Sequence, residues 1–250
     1  MQVGFIGSGN MAAALARGWG EPVLCSDSGS GRARALADEL GGEAVTNREV
    51  AERADVVILA HKPAQLADVA TEIAGAAKAV VSILAGKTQA DLRAAYPGTT
   101  PVFRLEPNTP AEVGRGVLAF AEPDAPVDEE LGAAVRERFA RLGVVVEVPE
   151  RLMGVAGACA GVAPAYWALL VEAWVDAAVR RGMPAATAQE LVIGGMAGTA
   201  ELLRRYEGDT LTVRRAVASP GGSTARGLDA LERGGVRAAL SQAMDEVAED

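Results

Sequence analysis

The sequence predicts an α/β protein: an N-terminal doubly wound parallel sheet over residues 1–149 and a C-terminal all-helical dimerisation domain over residues 150–250. Three observations lead there. Compact apolar runs alternate with helical stretches as far as Val148. A glycine-rich turn joins the first run to the first helix. Beyond Pro149 no further strand pattern occurs.

Each element follows from its own residues. The runs at 3–6, 23–26, 56–60, 80–84 and 102–105 are short and mostly apolar, as suits strands buried on both faces. Helical stretches at 10–19, 32–40, 65–76 and 89–95 separate them, and strand–helix alternation is the pattern of a doubly wound sheet. A strand at 116–120, a loop, a helix ending near Leu142 and a strand at 144–148 complete this part. In the remainder, Leu191, Val192, Gly195, Met196, Thr199, Leu202 and Leu203 share one helical face. Val236, Leu240, Met244 and Val247 make a second stripe, and a helix starting near Pro164 carries Leu169, Leu170, Ala173, Trp174 and Ala177. Helices this apolar need a partner outside their own domain, and a homodimer is the economical reading.

Composition narrows the function classes. The chain has 250 residues and a formal net charge of -9. Its pI near 4.8 argues against a dedicated nucleic-acid binder, which shows a basic excess. Cys25 and Cys159 lie far apart without metal-ligand spacing, so they read as free thiols of a reducing compartment and no metal is expected. No basic segment precedes an apolar one at the start, which predicts no signal peptide. Residues 152–171 carry no formal charge, but they are rich in Gly and Ala and include Pro164. They read as a buried loop and helix of a soluble cytoplasmic protein, with no membrane contact.

The chain opens MQVGFIGSGNMAAALARGW. Gly7-Ser8-Gly9-Asn10-Met11-Ala12 is G-x-G-x-x-A between a strand and a helix, the turn of a Rossmann-type dinucleotide site. Gly7 permits the tight turn, Gly9 lets backbone approach a pyrophosphate, and Ala12 lets the helix lie on the strand. The phosphates then meet free N–H groups at the helix N-terminus, including those of Asn10 and Met11. Two readings of the cofactor stand open from these residues. Asp27, at the end of the second strand, suits the ribose diol of NAD(H). Ser26, Ser28, Ser30, Arg32 and Arg34 suit the 2′-phosphate of NADP(H).

SPGGSTARGLDALE, starting at Ser219, places hydroxyls around a double glycine ahead of an amphipathic helix. Ser, Thr and Gly are ordinary helix caps. They are also what an anion site at a helix N-terminus requires: unpaired amides, a favourable dipole and a backbone able to wrap closely.

GFIGSGNM, RLEPNTPAEVGRG and SPGGSTARGLDALERGG occur in the order and spacing of pyrroline-5-carboxylate reductases, and AGVAPAYWALLVEAWVDAAVRRGM sits where that family has a small-residue loop, Pro-Ala-Tyr and a long helix. The chain resembles this family over nearly its whole length. The resemblance implies a Rossmann domain, a helical dimerisation domain and a cleft between them, with larger assemblies of dimers known in the family. It implies hydride transfer from NAD(P)H to the C=N bond of 1-pyrroline-5-carboxylate, giving L-proline, and it favours NADPH while allowing NADH. By position, Asn47 matches a contact to the adenosine end of the cofactor, and Lys62 and Pro63 match a pair beside it. Residues 82–86, with Ala85 and Gly86, match the segment near the nicotinamide ribose, and Asn108 lies in the PNTP turn. Glu207 falls at a glutamate of the substrate-side cleft. Ser219, Gly221, Gly222, Ser223 and Thr224 match the loop holding the substrate carboxylate, and Thr224 is placed to bond the ring nitrogen. Thr224 and Glu207 are therefore the expected catalytic pair.

Four departures accompany the resemblance. Glu106 replaces a neutral residue before the PNTP turn; it either faces the site, where it would repel an anion and favour an iminium, or points to solvent. Ala160-Gly161-Val162-Ala163 lacks the family's serines, which makes that wall more apolar and is compatible with another cyclic imine. His61, the only histidine, stands in place of a small apolar residue and reads as a hydrogen-bonded structural group rather than a catalytic imidazole. Residues 26–31 are not the usual 2′-phosphate turn.

Overall fold

The apolar runs of the N-terminal part become β1 (Val3–Ile6), β2 (Leu24–Ser26), β3 (Glu43–Ala44), β4 (Val56–Leu59), β5 (Val80–Ser82), β6 (Val102–Pro107), β7 (Gly116–Ala121) and β8 (Gly143–Val148). They form one sheet in the order β3-β2-β1-β4-β5-β6-β7-β8. All neighbours pair in parallel except β6 and β7. This computed structural model describes residues 1–248 and divides into two compact units, Met1–Pro164 and Ala165–Val247.

Helices cover both faces of the sheet, and alternation along each strand explains how. Phe5, Ile58 and Val81 pack with residues of α1 (Asn10–Trp19), α2 (Arg32–Leu40) and α6 (Glu129–Ala140). Ile6, Val57, Leu59 and Val80 point to the other face, against α3 (Asn47–Arg53), α4 (Leu66–Glu72) and α5 (Gln89–Ala95). Strand order reverses between β1 and β4, and the crevice at a reversal is where such sheets bind ligands.

Several expectations are corrected. β3 and α3 were not foreseen. α3 buries only Val50 and Ala51, too little for a periodic signal, yet it is fixed by a capping box between Thr46 and Glu49. The helix expected at 65–76 is a 3-10 turn at Pro63–Gln65 followed by α4, which ends at Glu72 ahead of Gly75 in the left-handed region. Val247 lies beyond the last helix.

After β8 the chain passes through a 3-10 turn (Glu150–Leu152), α7 (Met153–Ala156) and a π-turn (Gly157–Gly161) into α8 (Ala163–Val179). Then follow α9 (Ala185–Arg205), α10 (Thr210–Val217), α11 (Ser223–Arg233) and α12 (Val236–Asp245). The expected burial of residues 152–171 holds only for Met153 and Ala158. Trp167, Leu169 and Trp174 are 55%, 63% and 66% exposed. Within Ala165–Val247, Val175 and Ala188 are the only buried residues. Apolar composition signals that a surface is covered, not by what, and here the chain's own residues do not cover it. By length and composition Glu150–Val179 is apolar enough to cross a membrane, with mean hydropathy 1.6.

Candidate active site

In the first unit the site is built around the turn from β1 to α1. Gly7 has φ +96°, and a Cβ there would lie 2.5 Å from backbone atoms of Ala60 and His61. The turn is thus pressed against the end of β4, and only glycine fits. Gly7 N and Ser8 Oγ both donate to Ser26 O, at 3.1 and 3.0 Å. Gly9 is the N-cap of α1, extended at φ -75° and ψ -176°, with no side chain capping the helix. A Cβ on Gly9 would meet no protein atom within 4 Å. Ala13 is the first amide taken up by the helix, donating to Gly9 O at 2.9 Å, so those of Asn10, Met11 and Ala12 stay available for an anion.

The turn after β2 is organised by Asp27. Its Oδ1 accepts from Gly29 N at 2.8 Å, and its Oδ2 accepts from Ser30 Oγ at 2.8 Å and Ala33 N at 2.9 Å. The Ala33 amide, ahead of the Ser30 and Gly29 donors, holds this carboxyl below its ordinary range against a desolvation that would raise it. Both oxygens therefore serve the loop, while Ser28, Arg32 and Arg34 are exposed around it. Ser26 is different: it is buried, and its hydroxyl donates to Asn47 Oδ1 at 2.5 Å. Asn47, the first residue of α3, also donates from Nδ2 to Glu72 at 2.7 Å.

Lys62 is exposed and Pro63 opens the 3-10 turn beyond β4. His61 Nδ1 lies 2.9 Å from Lys62 O, while Nε2 is buried without a partner. Burial pulls its pKa down against that hydrogen bond, so the ring is held neutral. Ala85 and Gly86 form an exposed turn after β5. Asn108 is buried, with Nδ2 donating to Ala160 O at 3.0 Å and Oδ1 accepting from Val117 N at 2.8 Å. Its side chain clamps the π-turn to β7. Glu106 is mostly buried beside a cation. It lies 3.6 Å from the buried Arg104, whose other partner, Glu150, is at 2.7 Å.

In the second unit, Gly222 N donates to Ser219 O at 3.0 Å, closing a tight turn in which Gly221 has φ +71°. Gly222 is the N-cap of α11 at φ -68° and ψ 170°, and again no side chain caps the helix. Ser219 and Ser223 are exposed and Thr224 is half-buried. Arg226, unremarked in the sequence, donates from Nη1 to Gly221 O at 2.6 Å. Glu207 is the only non-glycine with positive φ among the described residues, at +52°, where α9 ends. Gly208 N donates to Leu203 O beneath it at 2.8 Å, a helix-ending bond in which a glycine or asparagine normally takes the left-handed position.

An open helix N-terminus at the reversal of a doubly wound sheet defines a dinucleotide-binding α/β protein. Residues 2–86 match the family described as NADP oxidoreductase, coenzyme F420-dependent, and residues 150–250 match pyrroline-5-carboxylate reductase dimerisation. A pyrroline-5-carboxylate reductase of Synechocystis is 39% identical over 200 residues, covering 79% of this chain and 74% of that protein. The solved pyrroline-5-carboxylate reductase of Streptococcus pyogenes superposes with a TM-score of 0.90 at 30% identity, covering 99% of this chain and 96% of that one. That of Plasmodium falciparum, with NADP bound, gives 0.88 at 25% identity, covering 99% and 95%. The chain belongs to the pyrroline-5-carboxylate reductase family.

Proposed function

We infer that the protein reduces the C=N bond of 1-pyrroline-5-carboxylate to L-proline with NADPH, NADH serving less well, as a cytoplasmic homodimer in proline biosynthesis that needs no membrane or nucleic acid. One observation carries the reading. Among the described helices only α1 and α11 begin at an extended glycine with no side chain on their amides, and Gly9 and Gly222 share nearly the same backbone angles. One such terminus suits a pyrophosphate and the other a small carboxylate.

The residues of the first unit fit an NADP(H) molecule. Gly9 leaves a cradle that a Cβ would fill, the Asn10–Ala12 amides face it, and the Asp27-organised turn presents Ser28, Arg32 and Arg34 to a 2′-phosphate. Asn47, Lys62, Pro63, Ala85, Gly86 and Asn108 line the remainder by family position. When bound, the nicotinamide supplies a hydride. The chain's own part is binding and orientation. Amides at the start of α11, with Ser219 and Ser223, hold the substrate carboxylate, so the small ring is fixed at one point. The Thr224 hydroxyl bonds the ring nitrogen, which favours the protonated imine and makes its carbon the better hydride acceptor. The strained Glu207 supplies a carboxylate on the substrate side that stabilises this cation.

Ala160-Gly161-Val162-Ala163, apolar where relatives carry serines, favours a second reading in which a different cyclic imine is the best substrate. The deciding experiment follows NADPH and NADH oxidation by purified protein with 1-pyrroline-5-carboxylate and a panel of cyclic imines. Fastest turnover of pyrroline-5-carboxylate with NADPH supports the first reading, and a better imine selects the second. Cofactor binding without turnover on any imine would identify a catalytically silent homologue.

A further inference from the structure

We propose that Arg226 is a substrate-positioning residue that completes the carboxylate pocket at the start of α11. The proposal rests on the reading of that turn as the substrate anchor. Gly221, in the left-handed conformation, leaves a carbonyl oxygen beside the uncapped amides of α11. A bare carbonyl there would set partial negative charge against an incoming carboxylate. Arg226 reaches back along its own helix and donates Nη1 to this oxygen at 2.6 Å. The bond does two things. It neutralises a repulsive carbonyl of the turn, and it anchors a planar guanidinium that keeps further N–H donors.

Charge around the residue favours the same role. No carboxylate pairs with Arg226 among the described residues, whereas nearby Arg233 and Arg237 are bridged to Asp229 and Glu232. The first turn of α11 holds no acidic residue. In a chain of net charge -9, an unneutralised guanidinium fixed beside open amides is where an anionic ring is drawn in. A planar fork also prefers a planar carboxylate, so Arg226 acts on how the ring is held rather than on the hydride step.

The test compares the wild type with Arg226→Gln and Arg226→Lys. Arg226→Gln is expected to raise KM for the imine carboxylate about tenfold, with kcat and NADPH affinity changed by less than about twofold, because a charge-assisted contact is lost only from substrate binding. Direct titration of the NADP⁺ complex, read by calorimetry, should show L-proline affinity falling by a similar factor while pyrrolidine, the same ring without a carboxylate, is unaffected. Arg226→Lys, which keeps the charge without the fork, should recover part of the loss. Unchanged KM and proline affinity in Arg226→Gln would overturn the proposal, as would equal weakening of proline and pyrrolidine, the signature of a merely distorted turn. A wild type that neither reduces the imine nor binds proline overturns the reading of the site itself, and is seen before any variant is made.

Discussion

Placing a side chain at Gly9 should abolish cofactor binding and leave the fold intact, whereas the neighbouring Gly7 should behave in the opposite way. At Gly9 the backbone is extended and a Cβ meets no protein atom within 4 Å, so the first side-chain carbon of Gly9→Val has open space. The substitution even restricts the unfolded chain, a gain of about 0.4–1 kcal/mol for a small residue at a compatible position. The same side chain occupies the space through which a pyrophosphate must approach the amides of α1. Loss of two charge-assisted hydrogen bonds at about 1.5–3 kcal/mol each is about 3–6 kcal/mol, or roughly two to four decades of affinity. Gly7→Ala instead drives a Cβ to 2.5 Å from the Ala60 and His61 backbone at φ +96°. The left-handed cost of about 1–2 kcal/mol alone should lower the melting temperature by roughly 2–8 °C, and the overlap should lower it further. NADPH titration by fluorescence and thermal melts of both variants provide the assay. Tight NADPH binding by well-folded Gly9→Val would refute the assignment of the turn.

Four further outcomes follow from the geometry. Thr224→Ala should lower kcat by roughly 10–100-fold while NADPH affinity stays near wild type, since the hydroxyl acts on the substrate nitrogen; matched losses in both would contradict its placement. Glu207→Gly should raise the melting temperature by roughly 2–4 °C, because a left-handed residue loses its Cβ strain of about 1 kcal/mol, yet turnover should fall at least about tenfold; a stabler enzyme of full activity would show that the carboxylate has no role. Asp27→Ala should weaken NADPH and NADH use together, as the turn loses its Gly29, Ser30 and Ala33 anchors; selective loss of NADH would mean that Asp27 grips the ribose instead. The pH dependence centres on His61. Burial lowers its folded pKa, so as pH falls below about 6.5 the unfolded chain takes up the proton first, and stability declines until the folded value is passed. His61→Gln should flatten the melting temperature between about pH 5.5 and 7, and an unchanged slope would refute the assignment, since the chain has no other histidine.

The sequence made most of the sheet readable because strands buried on two faces are apolar at every position, and Val3–Ile6 or Val56–Leu59 admits few other readings. α3 escaped because its order comes from Thr46 and Glu49 rather than from a stripe; the T-x-x-E signal was present and local. The two glycine-led helix starts were legible, as each depends on residues adjacent in the chain. What was not legible depends on distant or backbone partners. Asn108 meets the carbonyl of Ala160, fifty-two positions on, and a carbonyl carries no side-chain code. Ser26 turns away from the loop towards Asn47. Arg226 was overlooked for the same reason, since its partner is the Gly221 backbone.

With Val175 and Ala188 alone buried within Ala165–Val247, the helical unit has almost no core of its own. Much of its folding free energy must then come from association, which obeys mass action. Its melting temperature should climb with protein concentration, and dilution should extinguish activity without any change in the catalytic groups. Below the concentration at which two chains pair, the helices should lose the second copy they fold against, and activity should fall with them.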